Sequence, residues 1–411
     1  MAEVKSKTKK FDFKKALNEL KEQTGTVSFT ESTTASPEDY LDTGNYALNR
    51  IISGDVYKGI PVGYVTLFAG PSQSGKSYIA AKAAVSALKK GYTAIFILDT
   101  EGGTVSDLLK DENGNIPENV YQTLIGNIEE AIIKSQKILD FIKQAQQDDP
   151  SCRFLIIVDS IGAMRTSKLT EDALSDKSVI DVGTTPRRIG DFITLLTIPC
   201  LQTHTPCILL SHTYEAFSMM PTKIDPIYGG GKIYYMPSVT VQLKSTPKKA
   251  DKMLGSVDDE TYFQGVEFVY FTIKNRFVRA FFECRSLNNF TSGENRYYGL
   301  FSVAEGYDLI VRDGSYYRIP EFSGDKKWYA KDILSGKDAD KIWEKLIPLI
   351  NAKSVVDMAY GSANDAAPGL SELAPELEAM SKGVNKKEAS EAPSLADIES
   401  NSTDHMNLPE Q

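Results

Sequence analysis

Gly70-Pro71-Ser72-Gln73-Ser74-Gly75-Lys76-Ser77 fits the phosphate-binding pattern Gly-x4-Gly-Lys-Ser, and no other feature constrains the chain as strongly. Before it, Val62 to Phe68 is a short apolar run suited to a buried parallel strand. After it, Ile79 to Leu88 carries Ala, Val and Leu at helical spacing. Strand, glycine turn and helix in that order are the context the pattern requires. Gly70 and Gly75 let the backbone wrap a polyphosphate with its N–H groups pointing inward, and the helix N-terminus adds positive potential. Lys76 is then placed to neutralise β/γ-phosphates and Ser77 to ligate Mg²⁺. The expected nucleotide contacts run from Gly70 through Pro71, Ser72, Gln73, Ser74, Gly75, Lys76 and Ser77 to Tyr78. The segment predicts a nucleoside triphosphate as ligand.

With 411 residues the chain is too long for one small core, so a large nucleotide-binding domain with smaller appendages is expected. A hydrophobic content of 41% and a charged content of 25% are ordinary for a globular protein. No run approaches the ~18 apolar residues of a membrane span. The lysine-rich start, Met1 to Lys15, has no apolar stretch and is not read as a secretion signal. Cys152, Cys200, Cys207 and Cys284 are scattered without a Cys-x-x-Cys pair, which suggests free thiols in a reducing, cytoplasmic compartment. The net charge of −9 is unfavourable for binding nucleic acid, but from Ala363 onward ten acidic residues face only three lysines. The rest is nearly neutral and has room for a basic groove. The tail is expected to be disordered, either a solubilising segment or a polyanion competing for that groove.

Phe154-Leu155-Ile156-Ile157-Val158-Asp159 is an apolar strand ending in an acid, the form that holds Mg²⁺ behind a phosphate loop. Ala94 to Leu98 is a second such strand, followed by Asp99-Thr100-Glu101-Gly102. Glu101 is either a carboxylate that polarises the water attacking the γ-phosphate or a simple loop acid. Strand and helix alternate from about Asn45 to Glu283. Strands are expected at Tyr92–Leu98, Phe154–Val158, Cys207–Leu210, Ser238–Leu243, Glu267–Ile273 and Arg279–Glu283. Helices are expected at Ile125–Gln146 and Arg188–Gln202, the latter shortened or kinked by Pro199. The fold class is α/β: a mostly parallel sheet wrapped by helices and extended by antiparallel strands. The division is 1–44 helix and linker, 45–295 core, 296–361 small α+β domain and 362–411 acidic tail. Residues 26–45 read as linker and Lys244–Tyr262 as a hairpin loop.

Several stretches together resemble the RecA-type strand-exchange recombinases, most closely the phage UvsX recombinases. They are Asp42-Thr43-Gly44, Leu48 to Gly54, Gly59-Ile60-Pro61-Val62-Gly63, Leu98-Asp99-Thr100-Glu101, Asp159-Ser160-Ile161-Gly162, Thr170 to Leu174, Ser211 to Glu215 and Gly229-Gly230-Gly231. The resemblance covers roughly residues 40 to 350. It implies a RecA-like core with an N-terminal helical arm, ATP and Mg²⁺ as cofactors, and DNA-dependent ATP hydrolysis. It also implies helical filaments on single-stranded DNA, pairing with duplex DNA, and loading and single-strand-binding proteins as partners. It makes Glu101 the catalytic carboxylate and His212 a γ-phosphate sensor. Lys274 and Arg276 become cations reaching a neighbouring subunit's ATP; two solvated charges at a strand end are the alternative.

DNA would be held by Arg187 and Arg188 at a helix start, and by a second loop carrying Phe217, Lys223, Gly230 and Gly231. Phe217 with Met219 and Met220 either wedges between bases or packs on its own domain. Phe13, Ala16 and Leu17, with Leu20, form an apolar stripe that implies docking on an adjacent subunit. Phe13 and Ala16 resemble the Phe-x-x-Ala docking signature of cellular recombinases. One departure is Leu108, where relatives often place an adenine-stacking tyrosine. A hexameric helicase on the same core, a non-catalytic mediator and a signalling ATPase ring remain alternatives.

Overall fold

The structure, a computed structural model, describes residues 12–28, 36–102, 106–110, 113–169, 183–214, 224–249, 263–322 and 326–360. The acidic tail and the first eleven residues lie outside these. Thirteen strands are described. Strands β1 (Tyr40–Leu41) and β2 (Ile60–Pro61) form a small antiparallel pair. Then come β3 (Val65–Ala69), β4 (Ala94–Asp99), β5 (Val120–Leu124), β6 (Phe154–Asp159) and β7 (Cys207–Ser211). β8 (Val239–Lys249), β9 (Phe263–Asn275), β10 (Glu283–Asn289) and β11 (Gly293–Asn295) follow. β12 (Val311–Asp313) pairs with β13 (Tyr316–Arg318). The helices are α1 (Phe13–Thr24), α2 (Tyr46–Ser53), α3 (Lys76–Lys89), α4 (Ile128–Asp148), α5 (Thr184–Gln202), α6 (Lys232–Tyr235), α7 (Tyr298–Gly306), α8 (Ala330–Ser335) and α9 (Ala339–Met358).

Nine strands make one sheet in the order β11-β10-β9-β8-β3-β7-β6-β4-β5. From β8 to β5 every pair is parallel, and β8, β9, β10 and β11 continue as antiparallel neighbours. This is the α/β sheet, with its antiparallel extension, that the alternating pattern predicts. Period-two alternation sorts the side chains between two cores. Phe68, Leu155, Ile157, Ile208 and Leu210 face one cluster with residues of α2, α3, α7 and α9. Leu67, Ile156, Val158, Cys207 and Leu209 face the other, under α4 and α5. The central strands are apolar on both sides because helices cover both faces. Leu300, Phe301, Ile342, Trp343 and Leu346 from the C-terminal helices share the first cluster, so their burial is continuous with the sheet's.

Three boundaries differ from expectation. Residues 36–45 are built in rather than linking: Leu41 and Thr43 are buried, and Asn45 caps α2 by accepting the Leu48 N–H at 2.9 Å. β8 runs on through Lys249, well into the stretch read as a loop, because β9 pairs with it along its whole length. The strand expected at Arg279–Glu283 begins only at Glu283; Phe281 has φ +69°, which no strand accommodates. α5 continues through Pro199 to Gln202. Among the described residues no helix is long and apolar enough to cross a membrane.

Asn49 ties the segment before the phosphate loop together. Its Oδ1 accepts the Thr43 N–H (3.0 Å) and hydroxyl (2.7 Å), and its Nδ2 donates to Asp42 Oδ1 (2.7 Å) and the Val56 carbonyl (2.9 Å). Asn49→Ala strands a buried N–H and a buried carbonyl. It should lower the unfolding free energy by roughly 2–4 kcal/mol, read from the urea midpoint at unchanged m-value.

Candidate nucleotide and DNA site

β3 delivers the chain into the loop at Gly70, whose N–H donates to the Ser211 carbonyl (3.1 Å). Gly75 caps α3 with φ +88°, and a Cβ there would stand 2.9 Å from the Phe268 ring. Only glycine meets both demands. Lys76 is buried, and its Nζ donates to the carbonyls of Gly70 (2.9 Å) and Pro71 (2.8 Å). Burial lowers its pKa, while the Asp159 and Glu101 charges pull the other way. Ser77 Oγ donates to Asp159 Oδ2 at 2.7 Å. Burial raises the Asp159 carboxyl against the opposing Ser77 hydrogen bond. These two converging oxygens suit Mg²⁺, which takes few protein ligands and completes its shell with water and phosphate oxygens. Tyr78 follows on α3, its hydroxyl donating to the half-buried Glu294 at 3.3 Å.

Asp99 lies opposite Asp159 in register, so β4 and β6 end together. Asp99 Oδ1 accepts the N–H groups of Glu101 (2.9 Å) and Gly102 (2.7 Å), and its Oδ2 accepts from Gln122 Nε2 (2.7 Å). That turn points Glu101 toward β7. Glu101 Oε1 accepts from Ser160 Oγ at 2.6 Å and from His212 Nε2 at 2.8 Å. Burial opposes its ionisation, but those hydrogen bonds and the His212 and Lys76 charges outweigh it and hold the carboxyl below its usual range. Glu101, His212 and Lys76, far apart in sequence, therefore share one edge of the sheet. The sequence reading gave Asp99, Gln122 and Ser160 no role, although Asp99 stood two residues before Glu101 and Ser160 directly after Asp159.

Behind His212 the chain forms a stem. The Tyr228 N–H donates to the His212 carbonyl (3.0 Å), Thr213 bridges Ile227, and the Tyr214 N–H donates to the Pro226 carbonyl (3.1 Å). Gly230, at φ +77°, packs so closely on α5 that a Cβ would lie 2.8 Å from Pro186 Cβ. The loop's glycine end thus meets the helix start that exposes Arg187 and Arg188. Gly231 begins α6 with Lys232, whose Nζ pairs with Asp191 at 2.9 Å. Phe217, Met219, Met220 and Lys223, and Thr170 to Leu174 of the first loop, lie outside the described residues.

Lys274 and Arg276 lie together, both donating to the Tyr235 carbonyl, Arg276 at 3.2 Å. Lys274 opposes Thr240, and Thr240 opposes Leu67, so the pair sits two strands across and set back from its own phosphate loop. Leu108 is half-buried against the α3-side cluster. On α1, Phe13 is 66% and Leu20 47% exposed, Ala16 and Leu17 are half-buried, and no residue of the helix is buried.

No family model matches this chain. It is 26% identical over 321 residues to the "Recombination and repair protein" of Enterobacteria phage T4, covering 78% of this chain and 74% of that protein. It is 28% identical over 213 residues to the "DNA repair and recombination protein RadB" of Methanosphaera stadtmanae, covering 51% of this chain and 83% of that protein. The sheet, the phosphate loop and these two relatives agree: the chain carries a RecA-like core and is related to the RecA-type recombinases.

Proposed function

We propose that this chain is a RecA-type recombinase acting in DNA recombination and repair, and that it does so as an ATP- and Mg²⁺-dependent filament on single-stranded DNA. The observation that carries this reading is the continuous path from Glu101 through His212 to the Tyr228 stem and the glycines against α5. A carboxylate beside the phosphate loop is hydrogen-bonded to the residue that anchors a DNA-facing loop, so nucleotide state and DNA grip share one element.

In this reading Lys76 and the loop amides would hold the triphosphate, and Ser77 and Asp159 would hold Mg²⁺, which would supply charge neutralisation to the phosphates. Glu101 accepts the proton of the attacking water. His212 donates to Glu101 before nucleotide arrives and turns to the γ-phosphate afterwards, moving the loop stem with it. Arg187, Arg188, Gly230 and Gly231, joined by Phe217 and Lys223, hold the DNA backbone and bases. Lys274 and Arg276 act on the neighbouring subunit's triphosphate, a role that their setback from their own loop supports. The bare stripe of α1 finds its cover on an adjacent subunit. The protein works in the cytoplasm of its host, with loading and single-strand-binding proteins.

ATP turnover measured with and without single-stranded DNA, alongside electron microscopy, tests the whole. DNA-stimulated turnover by helical filaments is expected; DNA-indifferent turnover by closed rings would count for a helicase or signalling ring, and none at all for a mediator. Glu101→Gln should lower DNA-stimulated kcat by about 10²–10⁴-fold while nucleotide binding persists.

Lys274 offers a separate check. Burial, and then the Arg276 charge, lowers its pKa to about 8, against about 10.4 for an ordinary lysine. A lowered pKa means the proton is shed earlier: near pH 8 about half of Lys274 is neutral, against under ~1% of an ordinary lysine. Reductive methylation of the free protein at pH 8, read by mass spectrometry, should modify Lys274 at least roughly tenfold faster than ordinary exposed lysines. A non-hydrolysable ATP analogue with single-stranded DNA should protect it, because a neighbour's phosphates restore the ammonium. Unchanged labelling would remove Lys274 from the subunit seam.

A further inference from the structure

The cations assigned to DNA are not bare. Glu129, in the first turn of α4, turns its Oε2 to the Ser167 N–H and the Ser167 hydroxyl, each at 2.9 Å, and its Oε1 lies 3.9 Å from Arg188 Nε. Asp191 Oδ1 accepts from Lys232 Nζ at 2.9 Å, and the charges of Arg187 and Arg188 act on the same carboxylate. The Lys232 stem lies over Gly190, where a Cβ would meet it at 2.6 Å, so its ammonium is fixed above α5. Both acids stay ionised: burial of Glu129 is outweighed by the Ser167 hydrogen bonds and Arg188, and Asp191 is held down first by Lys232.

A carboxylate and a phosphodiester make the same demand on such a place: two anionic oxygens accepting from N–H, O–H and guanidinium donors. We infer that Glu129 and Asp191 stand in for backbone phosphates in the DNA-free protein. Ser167 with Arg188 forms one phosphodiester subsite, and Lys232 with Arg187 forms a second. The inference rests on the DNA-binding reading of Arg187 and Arg188 and deepens it, since Glu129, Ser167, Asp191 and Lys232 had no assigned part. DNA arrives by exchanging partners. The acids stay close after the exchange, so each subunit's grip is weaker than its cations alone would give. Firm binding then requires many subunits in a row.

The test is fluorescence anisotropy of a labelled oligothymidylate across a KCl series, with Mg²⁺ and a non-hydrolysable ATP analogue. Glu129→Gln keeps the shape and an acceptor for Ser167 but removes the charge. It should tighten binding roughly three- to tenfold at low salt and steepen the log–log salt slope by up to ~0.7 per released cation, the single-strand value. The gain should vanish in the Arg188→Ala background. Glu130→Gln, one residue along and paired with Lys134 instead, makes the same change in net charge and should leave the affinity within about twofold. Asp191→Asn repeats the test through Lys232, so a misfolded Glu129 variant does not end it. Unchanged or weaker binding by the folded variants, or an equal gain from Glu130→Gln, overturns the inference and leaves the recombinase reading standing. Failure of the unaltered protein to bind the oligonucleotide at any salt overturns both.

Discussion

Parallel register is the constraint on which the rest depends. Ala69 lies opposite Ser211, and Asp99 opposite Asp159, so β3, β7, β4 and β6 stop at one edge of the sheet. Ligands of open α/β sheets sit beyond that edge, and here each strand hands over one part of the candidate site. β3 gives the phosphate loop, β4 the turn with Glu101, β6 Asp159 and Ser160, and β7 His212. A one-residue slip of any of these strands would turn its apolar residues out of their clusters and carry its acid or histidine away. Burial on both faces prevents that slip: the residues that set the register are the ones that fill the two cores.

The edge is also an electrostatic balance, between buried Lys76 and Asp159 and the more exposed Glu101. Lys76, Asp159 and Glu101 act on one another at short range, and none is fully solvated. Burial pushes Lys76 and Asp159 each toward its neutral form. On the proposed reading, a triphosphate with Mg²⁺ would supply the charges that each lacks, and binding it would relieve a cost already present in the free protein. The surface proposed to hold DNA is arranged in the opposite way. Arg188 and Lys232 already face acids in the free state, and a polyanion must exchange with them. One site is short of charge and the other is already matched, and the Glu101–His212 contact lies between them.

The legibility of this chain differed by element. The phosphate loop was readable residue by residue because its function is written in local geometry: a strand, two glycines and a helix within about twenty residues. Asp159 was readable for the same reason, as an acid ending an apolar run. Asp99, Gln122 and Ser160 were not, because what they do is orient Glu101, and that requires β4, β5 and β6 to be neighbours. Arg279–Glu283 was misplaced because its apolar content suits a strand while the positive φ at Phe281 forbids one. The reach of β8 to Lys249 was hidden by its polar composition; backbone pairing with β9 sustains it where side chains give no sign.

By itself the sequence determined the phosphate-loop pattern, the alternation of strand and helix, and the acids that end the strands, because each is a matter of near neighbours along the chain. Only the tertiary structure decided that Glu101 faces His212, that Gly230 rests on the start of α5, and that Glu129 and Asp191 face the cations beside it. Those contacts join residues tens of positions apart. Their existence depends on which strands pair and in what register, and that is settled by how both faces of the sheet are buried at once.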